Sequence, residues 1–313
     1  MLKKLIVCSA LAAMAGFQTA GAATILYSDD FNTDTSGNYT QVNGTDVLVE
    51  FAYDYSAATI HGGGAIPVAP NTTDSSKKGL RMQVNLTNGA RTGVNVYTNQ
   101  SFSGNYIVDV DVFFRVNGPP PAGGTGSTEY YRLGINHSGT KLINFFQDGS
   151  ANNPQSTDGY WFQGTGDAGA AQDYVFLRGD DAAAAQAADG GVFEVSGNVG
   201  VSNGNGTDPF NGATVNYYGS YPYPGCTGDN WLELRMEYNN GIVTVYMDGN
   251  KIAVLNDPLQ RWTSGKVCLG MEDTFVSIAP ADTSYVLFDN LRVTEIPTPP
   301  PPTAADGMWA LYD

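Results

Sequence analysis

Apolar and polar residues alternate along most of this chain. In "NYIVDVDVFFRV", Tyr106, Val108, Val110, Val112, Phe114 and Val116 fall on one side, and Ile107, Asp109, Asp111, Phe113 and Arg115 on the other. A period of two is the mark of a strand with one face buried, so the valine face is expected inward and the aspartates outward, in solvent. "WLELRMEY" repeats the pattern, with Leu232, Leu234, Met236 and Tyr238 inward and Glu233, Arg235 and Glu237 outward. "IVTVYMDGNKIAVL" is two β-branched runs around Asp248-Gly249-Asn250. That composition predicts a hairpin, because such turns need residues that tolerate positive φ. Further strands are expected at 24–31, 47–53, 79–86, 92–98, 129–136, 173–178, 266–271 and 284–294. No helical periodicity is sustained; the alanine run in "DDAAAAQAADGG" is too short for a stable isolated helix. The pattern predicts an all-β protein.

Several stretches depart from this rhythm. Residues 1–22 combine Lys3 and Lys4, an apolar run from Leu5 to Phe17, and Ala20-Gly21-Ala22, which reads as a bacterial-type secretory signal peptide cleaved after Ala22. Asn117 to Thr128 is a Pro/Gly loop, and Gly179 to Asn230 is a long Ala/Gly/Asn-rich excursion of the kind that is usually functional or mobile. The organisation expected is a signal peptide (1–22), one β domain (23–296), a proline-rich linker (297–303) and a tail (304–313). The linker "PTPPPPT" favours extended polyproline. Its following Met308-Trp309-Ala310-Leu311-Tyr312 is apolar enough to suggest docking on an envelope protein, the alternative being a fold-back over an edge strand.

Charge and cysteines narrow the setting. The formal net charge is −16, which disfavours nucleic acid and anionic lipid as partners. After the signal region no stretch is apolar enough to span a bilayer. Secretion to the extracellular medium or cell surface is expected. Export would leave Cys226 and Cys268 as the cysteine pair, and an even pair in an oxidising compartment reads as a disulfide. Closing a loop of about forty residues would contribute roughly 4 kcal/mol in the chain-entropy model.

Two apparent catalytic motifs carry little. "HGGG" at His61 to Gly64 and "GVSNG" at Gly200 to Gly204 imitate parts of a serine hydrolase, but Ser202 lies in an Asn/Gly loop and both histidines precede it. "SDDFNTDTSGNY" is more informative. Asp30, Asn32, Asp34 and Ser36 are spaced like the early part of a calcium loop, yet the glycine falls too late and Gln41 replaces the final glutamate. The same residues make Asx turns, so turn and metal site both stay open. "NYYGSYPYPGCTGDNW", with Tyr217, Tyr218, Tyr221 and Tyr223, and "GYWFQGTGD", with Tyr160 and Trp161, offer aromatic faces with polar tips of the kind that hold sugars, although such residues are more often core.

The series "WLELRMEYNNGIVTVYMDGNKIAVL", "GKVCLGMED" and "YVLFDNLRV" resembles the closing half of the concanavalin A-like jelly-roll superfamily, which includes laminin-G-type domains, legume-type lectins and laminarinase-like glycosidases. "ILYSDDFNTDTSGNY" and "FFRVNGPPPAGGTGSTEYY" also resemble secreted jelly-roll proteins of aquatic bacteria. The resemblance spans about residues 24 to 295 and implies a two-sheet antiparallel jelly-roll sandwich. It also implies a structural calcium between the first and last strands, held by Asp29, Asp30 and Asp289, with Asn32 and Asp34 beside them. The laminarinase-like catalytic strand carries E-x-D-x-x-E. Here Asp109 and Asp111 match its first two acidic positions and Phe114 stands at the third, so the acid/base is missing and Asp109 and Asp111 are left as candidate ligand-binding residues. Because this fold hosts many functions, three readings follow: a non-catalytic module for a polysaccharide or cell-surface glycan, a polysaccharide hydrolase or lyase, and a structural surface or adhesion protein. The first is expected.

Overall fold

The computed structural model describes residues 23–117, 129–142, 158–166, 174–179, 227–273, 278 and 283–297. The expected signal peptide (1–22), the residues beyond Pro297 with the expected linker and tail, and the Tyr217 to Cys226 stretch lie outside the described residues. In chain order the strands are β1 (Ile25–Asp29), β2 (Tyr39–Asn43), β3 (Val47–Asp54), β4 (Lys78–Val84), β5 (Thr92–Thr98), β6 (Phe102–Ser103), β7 (Tyr106–Arg115) and β8 (Tyr130–His137). They continue as β9 (Tyr160–Thr165), β10 (Tyr174–Arg178), β11 (Trp231–Asn239), β12 (Ile242–Met247), β13 (Asn250–Asn256), β14 (Ser264–Asp273) and β15 (Tyr285–Glu295). The helical content among the described residues is one 3-10 turn, Ser36–Asn38.

These strands form two antiparallel sheets. One has eight strands in the order β13-β12-β11-β7-β15-β4-β3, with β1 also paired to β15; the other has seven in the order β10-β9-β8-β14-β5-β2, with β6 on β14. This is a two-sheet antiparallel sandwich, as the strand series implies. The inward faces meet in one core: Val108, Val110, Val112 and Phe114 of β7 and Leu232, Leu234 and Met236 of β11 pack against Leu133, Ile135, Leu269 and Met271 of the opposite sheet. The alternation read from the sequence therefore has the right phase. The hairpin is also present, with Asp248 and Gly249 both at positive φ (45° and 76°).

The strands β2, β6 and β9 escape the pattern. All six residues of β9, "YWFQGT", are buried, so both faces are covered and no alternation marks the strand. The "HGGG" segment is a turn, with Gly62 and Gly63 at positive φ and a bridge pairing Thr59 with Ala65.

The connection between β3 and β4 decides what happens outside the core. It crosses the outer face of the eight-stranded sheet as a strap. Tyr55, Ile66 and Ala69 form a second, smaller apolar cluster with Phe113, Trp231, Tyr285 and Leu287. The Trp231 indole donates to the Pro67 carbonyl at 2.9 Å, and the Lys77 ammonium to the Ile66 carbonyl at 2.7 Å.

Candidate functional site

Antiparallel register places side chains from different strands side by side. Across β11, β7 and β15, the outer face of the eight-stranded sheet carries three successive rows: Trp231–Phe113–Leu287, Glu233–Asp111–Asp289, and Arg235–Asp109–Arg292. The strap covers the apolar row and part of the acidic one. The Asn71 backbone N–H and side-chain amide donate to the two Asp111 oxygens at 3.0 and 2.7 Å, and the Thr72 hydroxyl donates to Asp289 at 3.2 Å. Asp109 and Asp111 do point outward, as expected, but they are buried (6% and 0% exposed) rather than solvated. The strap closes over Asp111, and Arg235 and Arg292 close over Asp109.

A bulge in β15 shapes the edge of this surface. Between Asp289 and Arg292 the register shifts and Asn290 takes a positive φ of 52°. At this point one edge of β15 changes partner, from β4 (Val286 to Phe288) to β1 (Leu291 to Thr294). A bulge adds one residue to one strand and re-aims the side chains beside it. Here Asn290 donates to Asp111 at 2.8 Å and to the Thr72 hydroxyl at 3.0 Å, while Leu291 returns to the core.

Beside the bulge lies an open depression of about 160 Å³, with Asp30, Asn71, Asp109, Glu233, Asn290 and Arg292 in its wall. Arg292 and Glu233 reach solvent, with side chains 51% and 35% exposed. The polar groups are fixed by second partners: Asp109 lies between Arg235 and Arg292, and Asn71 bridges Asp111 and Glu233. Behind the wall, burial raises the Asp111 carboxyl above the ordinary range, and burial, reinforced by the Asp111 charge, pushes Asp289 up to about 8. The same burial favours the neutral form of Asp289.

The expected calcium ligands do not converge. Asp29, Asp30 and Asp34 each turn an oxygen onto the backbone N–H two residues ahead (Phe31, Asn32 and Ser36, at 2.9, 3.1 and 3.0 Å). The second Asp29 oxygen accepts from Tyr39, and Asn32 donates to Asp74. Asp289 accepts from the Asn290 N–H and Thr72. No group of three or more His, Cys, Asp or Glu side chains among the described residues is arranged for a metal ion. The "SDDFNTDTSGNY" stretch is a series of Asx turns, and its donor set does not fit calcium in this arrangement.

The outer face of the seven-stranded sheet differs. Across β9, β8, β14 and β5 the rows are Thr165–Tyr130–Glu272–Gly93, Gln163–Arg132–Gly270–Asn95, and Trp161–Gly134–Cys268–Tyr97. Arg132 forms a buried ion pair with Glu272, donates to Asn95 and Gln163 at 2.8 Å each, and lies 5.0 Å from the centre of the Trp161 ring. Glycine makes this possible: a Cβ at Gly270 would come within 2.7 Å of the Asn95 side-chain oxygen, where Arg132 and Asn95 meet. Every residue of the middle row is closed to solvent.

This corrects the expected aromatic platform. Tyr160 and Trp161 are not an exposed aromatic platform. Tyr160 points into the core with its hydroxyl on Asp257 at 2.9 Å, and Trp161 is fully buried beside Arg132. The expected disulfide is not seen among the described residues. Cys268 is a free thiol between Gly134 and Tyr97, pushed up to about 12 by burial, and Cys226 lies outside the described residues with Tyr217, Tyr218, Tyr221 and Tyr223. Sequence reading missed Asn71, Thr72, Glu233, Asn290 and Arg292 as site residues. The asparagine after Asp289 in "FDN" was the one available signal, because asparagine tolerates the positive φ of a bulge.

Comparison of the sequence with protein families and with curated proteins gives no match. Among solved structures, a Bacillus subtilis protein of unknown function with a galectin-like fold shares 11% identity over 88% of this chain and 97% of its own, with a TM-score of 0.44. The B. subtilis carbohydrate-binding module CBM66 shares 12% over 81% and 93%, with a TM-score of 0.38. A putative glycosyl hydrolase from Parabacteroides distasonis shares 13% over 85% and 98%, with a TM-score of 0.33. Likeness at this level does not bear on the chemistry of either face.

Proposed function

We propose that this protein is an exported carbohydrate-binding module whose ligand seats in the open depression beside the β15 bulge. The observation that carries the reading is a set of planar hydrogen-bonding side chains that reach solvent yet are fixed from behind: Asn71 and Asn290 by Asp111, and Arg292 by the buried Asp109. Sugars present hydroxyls that both donate and accept, and carboxylates, amides and guanidinium groups held in one rotamer answer them without a large ordering cost. The depression is smaller than pockets for drug-sized ligands, which run to about 300–1,000 Å³. It suits one ring or the edge of a longer chain.

Hydrolysis finds little support on this face. The cross-strand pair Asp111 and Asp289 has the raised pKa values of a catalytic pair, but both carboxyls are closed to solvent and occupied by Asn71, Thr72 and Asn290.

A glycan array run on the intact protein, with and without calcium, tests the reading. Binding is expected to one group of glycans, in both conditions, and to fall at least tenfold in Arg292→Ala at unchanged melting temperature and in Asn71→Ala, where the lost bond to buried Asp111 also lowers the melting temperature. Absence of binding to any glycan, or binding indifferent to both substitutions, would remove the depression as the site.

A further inference from the structure

The charge of the depression restricts what it can hold. Its wall presents Asp29, Asp30, Asp109 and Glu233 against the single guanidinium of Arg292. Asp109 is matched by Arg235 and Arg292, but Asp30 has its charge balanced by no described ion pair, and the nearest Glu233 approach to a cation is Arg235 at 3.9 Å. The Lys78 amine donates to the Asn32 carbonyl at 3.3 Å and makes no described ion pair with these carboxylates. The whole chain adds a net charge of −16, so the far field has the same sign as the local one.

Resting on the glycan reading above, we infer that the depression selects amine-bearing sugars and discriminates against acidic ones. A protonated amino group on a sugar ring would place its donors on Asp30 and Glu233. Each gives one oxygen to the protein, Asp30 to the Asn32 N–H and Glu233 to the Asn71 amide, and turns no second oxygen to a described hydrogen bond. A uronate or sulfate would meet those same carboxylates. Arg292 gives one nitrogen to Asp109 at 3.4 Å, so an acidic group on its remaining donors would still lie beside Asp109, Asp30 and Glu233. An acetylated amine presents an amide of no charge and falls between the two.

The test is calorimetric titration of the intact protein with glucosamine hexamer, its fully N-acetylated counterpart and an alginate hexamer. The buffer is at about pH 6, below the ordinary amine range. The amine oligomer is expected to bind roughly three- to fivefold tighter than the acetylated one, the scale of partly exposed charge pairs. Alginate is expected to bind weakest. The preference should shrink at about 0.5 M salt, where screening shortens to a few ångströms, and should be reduced in Asp30→Asn and in Glu233→Gln. Both side chains are solvent-facing, so the fold is not at stake. Equal binding of the two hexosamine oligomers, or tighter binding of alginate, would overturn the inference and leave the glycan reading standing. Binding of none of the three at millimolar concentration would overturn both.

Discussion

The outer faces of the two sheets are built alike and end up opposite in character. Each is a lattice of three rows in which strand register sets polar side chains side by side. On the eight-stranded sheet the strap covers the apolar row, so charge increases toward solvent and the arginines reach water. On the seven-stranded sheet the charge is in the middle row and closed off, where Arg132 must find all of its partners within the protein. The difference shows how burial, not residue type, sets the role of an ion pair. A closed pair has no solvent to replace a lost partner, so it contributes to specifying the fold. An open surface tolerates an excess of one sign, and that excess can be used for recognition.

The largest expected effect follows from this contrast. Arg132→Ala leaves Glu272 buried without its partner and should lower unfolding stability by about 3–5 kcal/mol, whereas Arg292→Ala should change it by less than about 1 kcal/mol. Urea unfolding of both variants measures the difference. The double variant Arg132→Met with Glu272→Leu should recover much of the loss, because replacing a buried pair by apolar residues is often neutral or better. Comparable losses at Arg132 and Arg292 would break the distinction between the faces.

A smaller effect concerns the boundary between strap and open face. Asp289 is held at about 8 by burial and the neighbouring Asp111, far above an unfolded aspartate. The folded chain therefore keeps a proton that the unfolded chain releases. Stability from this group is full at acidic pH, falls as pH rises through the window between the unfolded value near 4 and about 8, and is flat above that. Asp289→Asn resembles the protonated form and removes the dependence. It should match the parent near pH 4 and exceed it at pH 9 by at least about 1 kcal/mol, the equivalent of one pKa unit. Thermal unfolding across pH checks this; equal stability of the two proteins at pH 9 would mean that Asp289 ionises freely and that the strap does not seal it.

The inner faces were legible in the sequence because a two-residue period is a local signal. Val108 through Phe114 and Leu232 through Tyr238 announce their direction without reference to any other strand. The outer faces were not legible, because alternation treats a polar outward residue as solvated. Asp111 is covered by Asn71, and Arg132 is paired with Glu272, partners far off in the chain that only register and the strap bring close. The same limit hid β9, whose two covered faces leave no period to read. It also turned Trp161 from an apparent sugar platform into the neighbour of a buried guanidinium.

The smallest expected effect is that of calcium. Resemblance pointed to an ion shared by the first and last strands, and register does pair β1 with β15, Asp29 lying opposite Leu291. Calcium needs six to eight oxygen ligands drawn together. Asp29, Asp30 and Asp34 instead spend oxygens on the N–H groups two residues ahead, and Asp289 is enclosed by Thr72 and Asn290. Binding would require these turns to open and Asp289 to lose its proton, both of which oppose the ion. Millimolar calcium should therefore shift the melting temperature by less than about 1 °C relative to chelator, since only preferential binding to the native state stabilises it. A shift of several degrees that Asp289→Ala abolishes would show that the two strand ends do rearrange into a metal site. The open face would then owe part of its order to an ion instead of to the strap.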